Sequence, residues 1–210
     1  MSYAIRAADT AELEEIGRLR YRIYVEEMAR TQRHADHRAR TVLEPLDATG
    51  TVLLARDRGE LVGTVRWNRG LPGEYAAFFC PGGELDADDR RVSVSSKLMV
   101  LERYRTTTLA VRLAQAAYDI AALGHGALLN FIDCNDHLVA FFSGLGFVEL
   151  GTALHPEYGN VHRMVLCLPD ADRLRAARSP FAELAARRYD TADLERAREL
   201  LAKLQSAVAA

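Results

Sequence analysis

A chain of 210 residues that is 49% hydrophobic and 27% charged has material for one sizeable core with an appendage, and too little for two full domains. A formal net charge of -2 gives no global pull toward nucleic acid or a membrane surface, and no run of eighteen apolar residues is present to span a bilayer. The opening MSYAIRAADTAELEE has neither the basic nor the apolar segment of a signal peptide, so a cytoplasmic protein is expected. Cys80, Cys134 and Cys167 are too scattered for a disulfide framework or a zinc pattern. His34 and His37 in HADH lack companion ligands at metal spacing, so no metal is expected.

In chain order, YAIRAA alternates as a first strand, and DTAELEEIGRLRYRIYVEEM opens a helix. Asp9 or Thr10 caps it, and Leu13, Ile16, Leu19 and Ile23 fall near helical spacing. Residues 29–46 are polar and read as an irregular surface segment, of a length that is often functional. The period then changes to two: TVLLARD and LVGTVRWN form a β-hairpin about Arg58-Gly59-Glu60. A second irregular stretch leads to the strand VSVSSKLMV. The helix TTLAVRLAQAAYDIAALG follows, with Leu109, Leu113, Ala116, Ala117 and Ile120 on one face and Gly124 at its stop. ALLNFID is a strand, DHLVAFFSGLG a short helix, and FVELG and NVHRMVLCL two closing strands. The order predicts an α/β layer fold with a mixed sheet flanked by helices. From Pro169 the chain is rich in Ala, Leu, Arg and Glu and predicts two or three amphipathic helices that pack on the sheet or on a second subunit, the latter making a homodimer.

The stretch LMVLERYRTTTLA places a strand end, an arginine-rich turn and a helix start together, with Thr106 to Leu109 as the predicted first helical turn. Unpaired N–H groups, the positive end of a helix dipole and guanidinium groups make a phosphate site. Threonine hydroxyls can donate to phosphate oxygens; a plain N-cap role for Thr106 or Thr107 is the alternative.

KLMVLERYRTTTLAVRL resembles the central motif of the GNAT superfamily of N-acyltransferases, a bulged strand followed by an Arg/Gln-x-x-Gly-x-Gly/Ala loop and a helix, with Arg105, Thr108 and Ala110 at the marked positions. NDHLVAFFSGLGF is similar to the superfamily's second motif, led by Asn135 and closed by Leu145-Gly146-Phe147. The resemblance covers residues 3–168 and implies a GNAT acyltransferase domain over 1–168, with 169–210 as a helical extension. LRYRIYVEEM, LLARDRGELVGTVRWN and SSKLMV further resemble the subgroup of acyl-homoserine-lactone and N-acyl amino acid synthases, which implies a substrate side of Arg20, Tyr24, Asp47, Arg66 and Lys97.

The resemblance implies transfer of an acyl group from a coenzyme A thioester, or from the phosphopantetheine of an acyl carrier protein, to the amine of a small molecule. The pantetheine arm is expected along Leu98, Met99 and Val100, with an N–H near Val100 polarising the thioester carbonyl, and the phosphates at Arg103, Arg105, Thr106, Thr107, Thr108, Leu109 and Ala110, with Asn135 completing the cofactor side. Arg103, Arg105 and Arg112 are expected to form a basic cluster for coenzyme A or a carrier protein. Direct attack needs no covalent intermediate, so Cys134 is not expected to be a nucleophile. Glu26 and Asp133 are the candidate general bases. Thr106 and Thr108 stand at loop positions where the superfamily commonly has Gly, and two further positions depart from the family patterns. Val94 replaces a synthase Glu, and Phe142 stands where many members carry the Tyr acid. Two alternatives stay open: a lactone synthase using S-adenosylmethionine, and a non-catalytic domain that binds an acyl thioester as a sensor or scaffold.

Overall fold

The computed structural model describes residues 3–208 and contains nine strands and seven α-helices, with short 3-10 and π segments between them. The chain forms two compact units, residues 1–68 with 95–117 and residues 69–94 with 118–210.

In the first unit, β1 (Ala4–Ala7), β4 (Thr51–Asp57) and β5 (Glu60–Arg69) form an antiparallel ladder, and the strand order continues to β6 (Val92–Val100). The β4–β5 turn is tight because Arg58 and Gly59 both take left-handed backbone angles, φ 51 and 89. Asp9 accepts from the backbone N–H of Glu12 while Glu12 reaches back to the Asp9 N–H, a reciprocal cap that starts the helical segment. Helix α1 (Leu13–Tyr21) buries Ile16, Leu19 and Arg20 at helical spacing. It then widens into a π segment, Arg22–Glu27, in which Met28 N–H donates to the Ile23 carbonyl. The predicted irregular segment holds a two-residue ladder of β2 (Ala35–Asp36) with β3 (Thr41–Val42) and a 3-10 turn, Pro45–Asp47. Gly63 lets β5 approach β6 closely: a Cβ there would lie 2.9 Å from the Met99 carbonyl oxygen and 2.9 Å from Leu113 Cδ1.

In the second unit, β6 pairs in parallel with β7 (Leu129–Cys134) over Val92–Val94, β7 pairs antiparallel with β9 (Gly159–Cys167), and β9 with β8 (Val148–His155). Helix α2 (Tyr75–Phe79) contributes Phe79 to the core on this sheet. Leu145-Gly146-Phe147 closes α4 (Asp136–Gly144), and Gly146 is required there: φ is 102 and a Cβ would meet Leu174 Cδ2 at 2.5 Å. Three helices follow, α5 (Ala171–Ala176), α6 (Ala182–Arg188) and α7 (Thr191–Val208). Ala197, Leu200 and Leu204 of α7 join the core made by Leu129, Phe131 and Val165, so the apolar face of this helix covers the sheet. No helix among the described residues is long and apolar enough to cross a membrane.

Helix α3 (Leu109–Asp119) begins later than its sequence predicted. Thr107 explains the shift: its hydroxyl donates to the Tyr104 carbonyl at 2.7 Å and accepts from Leu109 N–H at 3.2 Å, so Thr106 and Thr107 belong to the turn. The helix ends in a π segment, Ile120–Gly124, whose last residue is the predicted stop.

Candidate active site

The first unit encloses a lattice of charged side chains. Arg20 comes from the buried face of α1, and Arg66 from β5, where Thr64, Arg66 and Asn68 share one face of a strand buried from Leu61 to Asn68. Both arginine side chains are 0% exposed. Their anions are supplied by the turn Glu44-Pro45-Leu46-Asp47, which Pro45 nucleates at its first position and which is closed by Glu44 N–H donating to Asp47 Oδ2 at 2.7 Å. Arg20 Nη1 donates to Asp47 Oδ2 at 2.7 Å, and Arg66 Nη1 donates to Glu44 Oε2 at 2.7 Å and to Asp47 Oδ1 at 3.1 Å. Arg66 Nε reaches Ser96 Oγ at 3.2 Å. Asn68 donates to the Leu46 carbonyl at 3.1 Å, fixing the turn against β5.

Lys97 completes the lattice. Its ammonium lies 2.6 Å from Glu44 Oε1 and 5.0 Å from the centroid of the half-buried Tyr24 ring. Tyr24 lies in the π segment four residues after Arg20, and both residues serve one cluster. Lys97 also has φ 57, a left-handed conformation that costs about 1–3 kcal/mol for a residue with a Cβ. This kink lies within β6, three residues beyond Val94, the last β6 residue of its ladder with β7. The strand itself continues through Val100.

Ionisation in the lattice is decided by a contest. Burial disfavours the charged form of Glu44, but Lys97 and Arg66 outweigh it and hold the carboxyl below its ordinary range. Burial opposes Asp47 in the same way, and Arg20 and Arg66 hold it low. All five expected substrate-side residues, Arg20, Tyr24, Asp47, Arg66 and Lys97, lie in this one unit, joined by Glu44. Sequence reasoning passed over Glu44; its signal was the Glu-Pro-x-Asp turn, a cap of reciprocal carboxylates.

The turn after β6 shows a different pattern from the expected basic cluster. Arg103 pairs with Glu60, Arg105 Nη2 lies 2.6 Å from Glu27 Oε2, and Arg112 stacks over Tyr3 at 5.5 Å. Each cation has its own neighbour, so the three arginines are spread among separate partners. Tyr104 OH donates to Asp57 at 2.8 Å, which fixes the turn to β4. Thr106 and Thr108 are exposed beside the start of α3, while the Thr107 hydroxyl is engaged in capping.

Of the candidate bases, Glu26 pairs with Arg40 at the surface. Asp133 belongs to the second unit, opposite Arg163 in the β7–β9 ladder. Asn135, also in the second unit, donates to the Tyr158 carbonyl at 3.2 Å and so ties the start of α4 to the β8–β9 hairpin. Phe142 is buried, edge-on to Phe141 at 5.1 Å and to Phe147 at 5.6 Å. Val94 is likewise fully buried and pairs with Phe131. Among the described residues no group of His, Cys, Asp and Glu could hold a metal ion.

Cys134 is enclosed, with its sulfur 3.6 Å from Met164 Sδ. Burial, reinforced by Asp133, Glu149 and Asp136, pushes its thiol up to about 12. A thiolate is therefore scarce at neutral pH. Cys134→Ala is expected to keep at least about half of the wild-type kcat/KM, the cost being only a small cavity. A loss of more than a hundredfold with the fold intact would make the sulfur a participant.

The sequence profile of the N-acyl amino acid synthase FeeM matches residues 15–168. No curated protein matches the chain. Among solved structures, the coenzyme A-dependent acyl-homoserine lactone synthase BjaI, determined with SAM and isopentyl-CoA, superposes with a TM-score of 0.66 at 17% identity over 94% of this chain and 100% of its own. TofI, in a ternary complex with an inhibitor and MTA, gives 0.64 at 20% identity over 87% of this chain and 99% of its own. An acetyltransferase of the GNAT family from Streptococcus pneumoniae gives 0.55 at 16% identity over 79% and 99%. At these identities the likeness is one of fold, and the fold is that of the GNAT acyltransferases. With the profile covering most of its length, the chain belongs to the FeeM family of N-acyl amino acid synthases and is an acyltransferase.

Proposed function

We propose that this protein transfers an acyl group from a phosphopantetheine thioester to the amine of an amino acid. The observation that carries the reading is the union, in one unit, of a buried five-charge lattice with a left-handed kink at Lys97 in β6. Leu98, Met99 and Val100 follow the kink in β6, where their backbone groups suit the amide-rich pantetheine arm, and the lattice beside it offers an acceptor cationic and polar side chains from Lys97, Tyr24 and Ser96. In the reaction, the neutral amine attacks the thioester carbonyl carbon while an N–H near Val100 stabilises the oxyanion. The C–S bond then breaks, the amine's proton passes to a carboxylate, for which Glu26 is the candidate within this unit, and the thiolate is protonated from solvent. A thiol pKa near ~8.5 makes that departure feasible without a dedicated acid, consistent with Phe142 in place of a Tyr.

The donor's phosphates are assigned to Arg105, Thr106, Thr108 and the N–H groups of the first turn of α3 after Leu109, whose own N–H is capped by Thr107, and Arg103 extends the same surface. Residues 1–168 are taken as the acyltransferase domain and 169–210 as its extension, a division supported by the end of the profile match at Leu168. Coenzyme A is the donor to test first, since acyl-CoA can be supplied free, and an acyl carrier protein is the second.

Titration with coenzyme A tests the assignment. Arg105→Ala and Thr108→Val should each weaken binding, about tenfold for the arginine if one charge-assisted contact is lost. Glu27→Gln should do the reverse and tighten it severalfold, because Arg105 is held by Glu27 at 2.6 Å and a phosphate must compete for it. Unchanged affinity in all three variants would move the phosphates elsewhere. No binding to the wild type would turn the search to a carrier protein.

A further inference from the structure

In the second unit, His162 of β9 sits in a row with Cys134 of β7 and Thr152 of β8, opposite both in the ladders. Glu149, three residues before Thr152, should point to the other face of the sheet, because strand side chains alternate. A bulge re-aims it. The register shifts by one residue between Glu149 and Gly151, where φ reaches 122, so Glu149 lies opposite Met164 and shares the face of His162. Asp136, the first residue of α4, reaches the same ring. Nδ1 of His162 lies 2.7 Å from Glu149 Oε1, and Nε2 lies 2.9 Å from Asp136 Oδ1. Only an imidazolium has an N–H at both positions; a neutral ring must turn a lone pair toward one of the two carboxylates.

We infer that His162 is a proton-operated clasp that ties the first turn of α4 to the β8 bulge when charged and releases the helix when neutral. Asp136 is the arm that opens, since its side chain is 87% exposed and water replaces the contact, whereas Glu149 is 43% exposed and makes the shorter bond. Hydrogen bonds to Glu149 and then to Asp136 raise the His162 pKa above its ordinary 6.5, outweighing burial. The other groups around the ring are uncharged near neutrality: Cys134 from β7, its thiol pushed up to about 12, Thr152 from β8, and Asn160 and Met164 along β9. Asp133, Arg163 and His155 alternate to the opposite face, and His137 of α4 is exposed. Because the folded pKa is raised, the clasp is fully closed below 6.5 and is lost as pH rises through the folded value.

Nuclear magnetic resonance of the full chain tests this. The His162 Cε1–H signal, assigned by its disappearance in His162→Gln or by triple-resonance spectra if that variant does not fold, should titrate above pH 6.5 in wild type. It should titrate at lower pH in both Asp136→Asn and Glu149→Gln. Amide exchange reads the clasp itself. The Leu138 N–H, bonded to the Asn135 carbonyl at 2.9 Å in the first turn of α4, should lose protection relative to its intrinsic rate as pH rises through that pKa. The loss should be about two- to fivefold, the scale of an exposed ion pair, and absent in Asp136→Asn. A wild-type value at or below 6.5, a value that does not fall in both variants, or Leu138 protection that does not follow the titration overturns the clasp. It lies one residue after Asn135, which resemblance places on the cofactor side, but none of these readouts uses acyl transfer, so failure of this inference and failure of the enzymatic reading are distinguishable.

Discussion

Asp47→Ala is expected to destabilise the protein by about 3–5 kcal/mol, seen as a fall in Tm of roughly 6–20 °C and a lower midpoint in urea with little change in slope. The size follows from what the substitution leaves behind. Arg20 and Arg66 are both 0% exposed, and Asp47 is an ion-pair partner of each, so one truncation strips buried Arg20 of its carboxylate and leaves buried Arg66 with Glu44 alone. The turn is weakened too, because the Glu44 N–H loses its acceptor. Acid should narrow the gap between variant and wild type. The folded carboxyls of Asp47 and Glu44 lie below their ordinary values of 3.8 and 4.5, so the stability they contribute is fully present above those values and is lost as pH falls through the lower folded ones. Denaturant curves from pH 7 down to about pH 3 would show the difference shrinking only at the acid end. A loss below about 1 kcal/mol at pH 7 would mean that the lattice contributes little to folding, and a large gap that stays constant across that range would mean that its contribution does not depend on ionised Asp47.

Lys97→Met should lower kcat/KM by about a hundredfold, the scale at which a misplaced substrate group costs rate, while the protein stays folded by circular dichroism. Lys97 does two separable things: its ammonium joins Glu44 to the Tyr24 face, and its backbone makes the left-handed kink. Lys97→Gly separates them. Glycine takes φ above zero without penalty, so the kink persists and the strand relaxes, but the charge is gone. Activity should fall as far in the glycine variant as in the methionine one. Lys97→Arg should recover to within about tenfold of wild type, because the cation and its reach to Glu44 are retained. Full activity in Lys97→Met would remove Lys97 from the acceptor side; loss in methionine with recovery in glycine would assign its role to the backbone.

Much of this frame was legible in the chain itself. The strand Val92–Val100 and the tight turn at Arg58-Gly59 follow from local pattern, since alternation and a glycine turn act within a few residues. The three helices after Pro169 could be read from their spacing for the same reason. The π segment could not, because Arg22–Glu27 keeps an ordinary helical sequence. The start of α3 was misplaced for a similar reason: three threonines offer three candidate caps, and the Tyr104 carbonyl selects Thr107. Arg20, Asp47 and Arg66 were singled out by resemblance, yet nothing in their spacing shows that they are enclosed together. Glu44 shows the limit most clearly. A glutamate before proline reads as a surface residue until the turn brings it to Lys97 at 2.6 Å and Arg66 at 2.7 Å.

The most direct test of the central claim is to incubate the purified chain with acyl-CoA thioesters of several chain lengths and a panel of amino acids, following thiol release and the mass of the product together. The account predicts thiol release that depends on the amino acid, with one N-acyl amino acid formed per thiol and catalytic turnover. Thioester binding without any amide product, from coenzyme A or from an acyl carrier protein, would contradict it and leave a domain that senses acyl thioesters without consuming them.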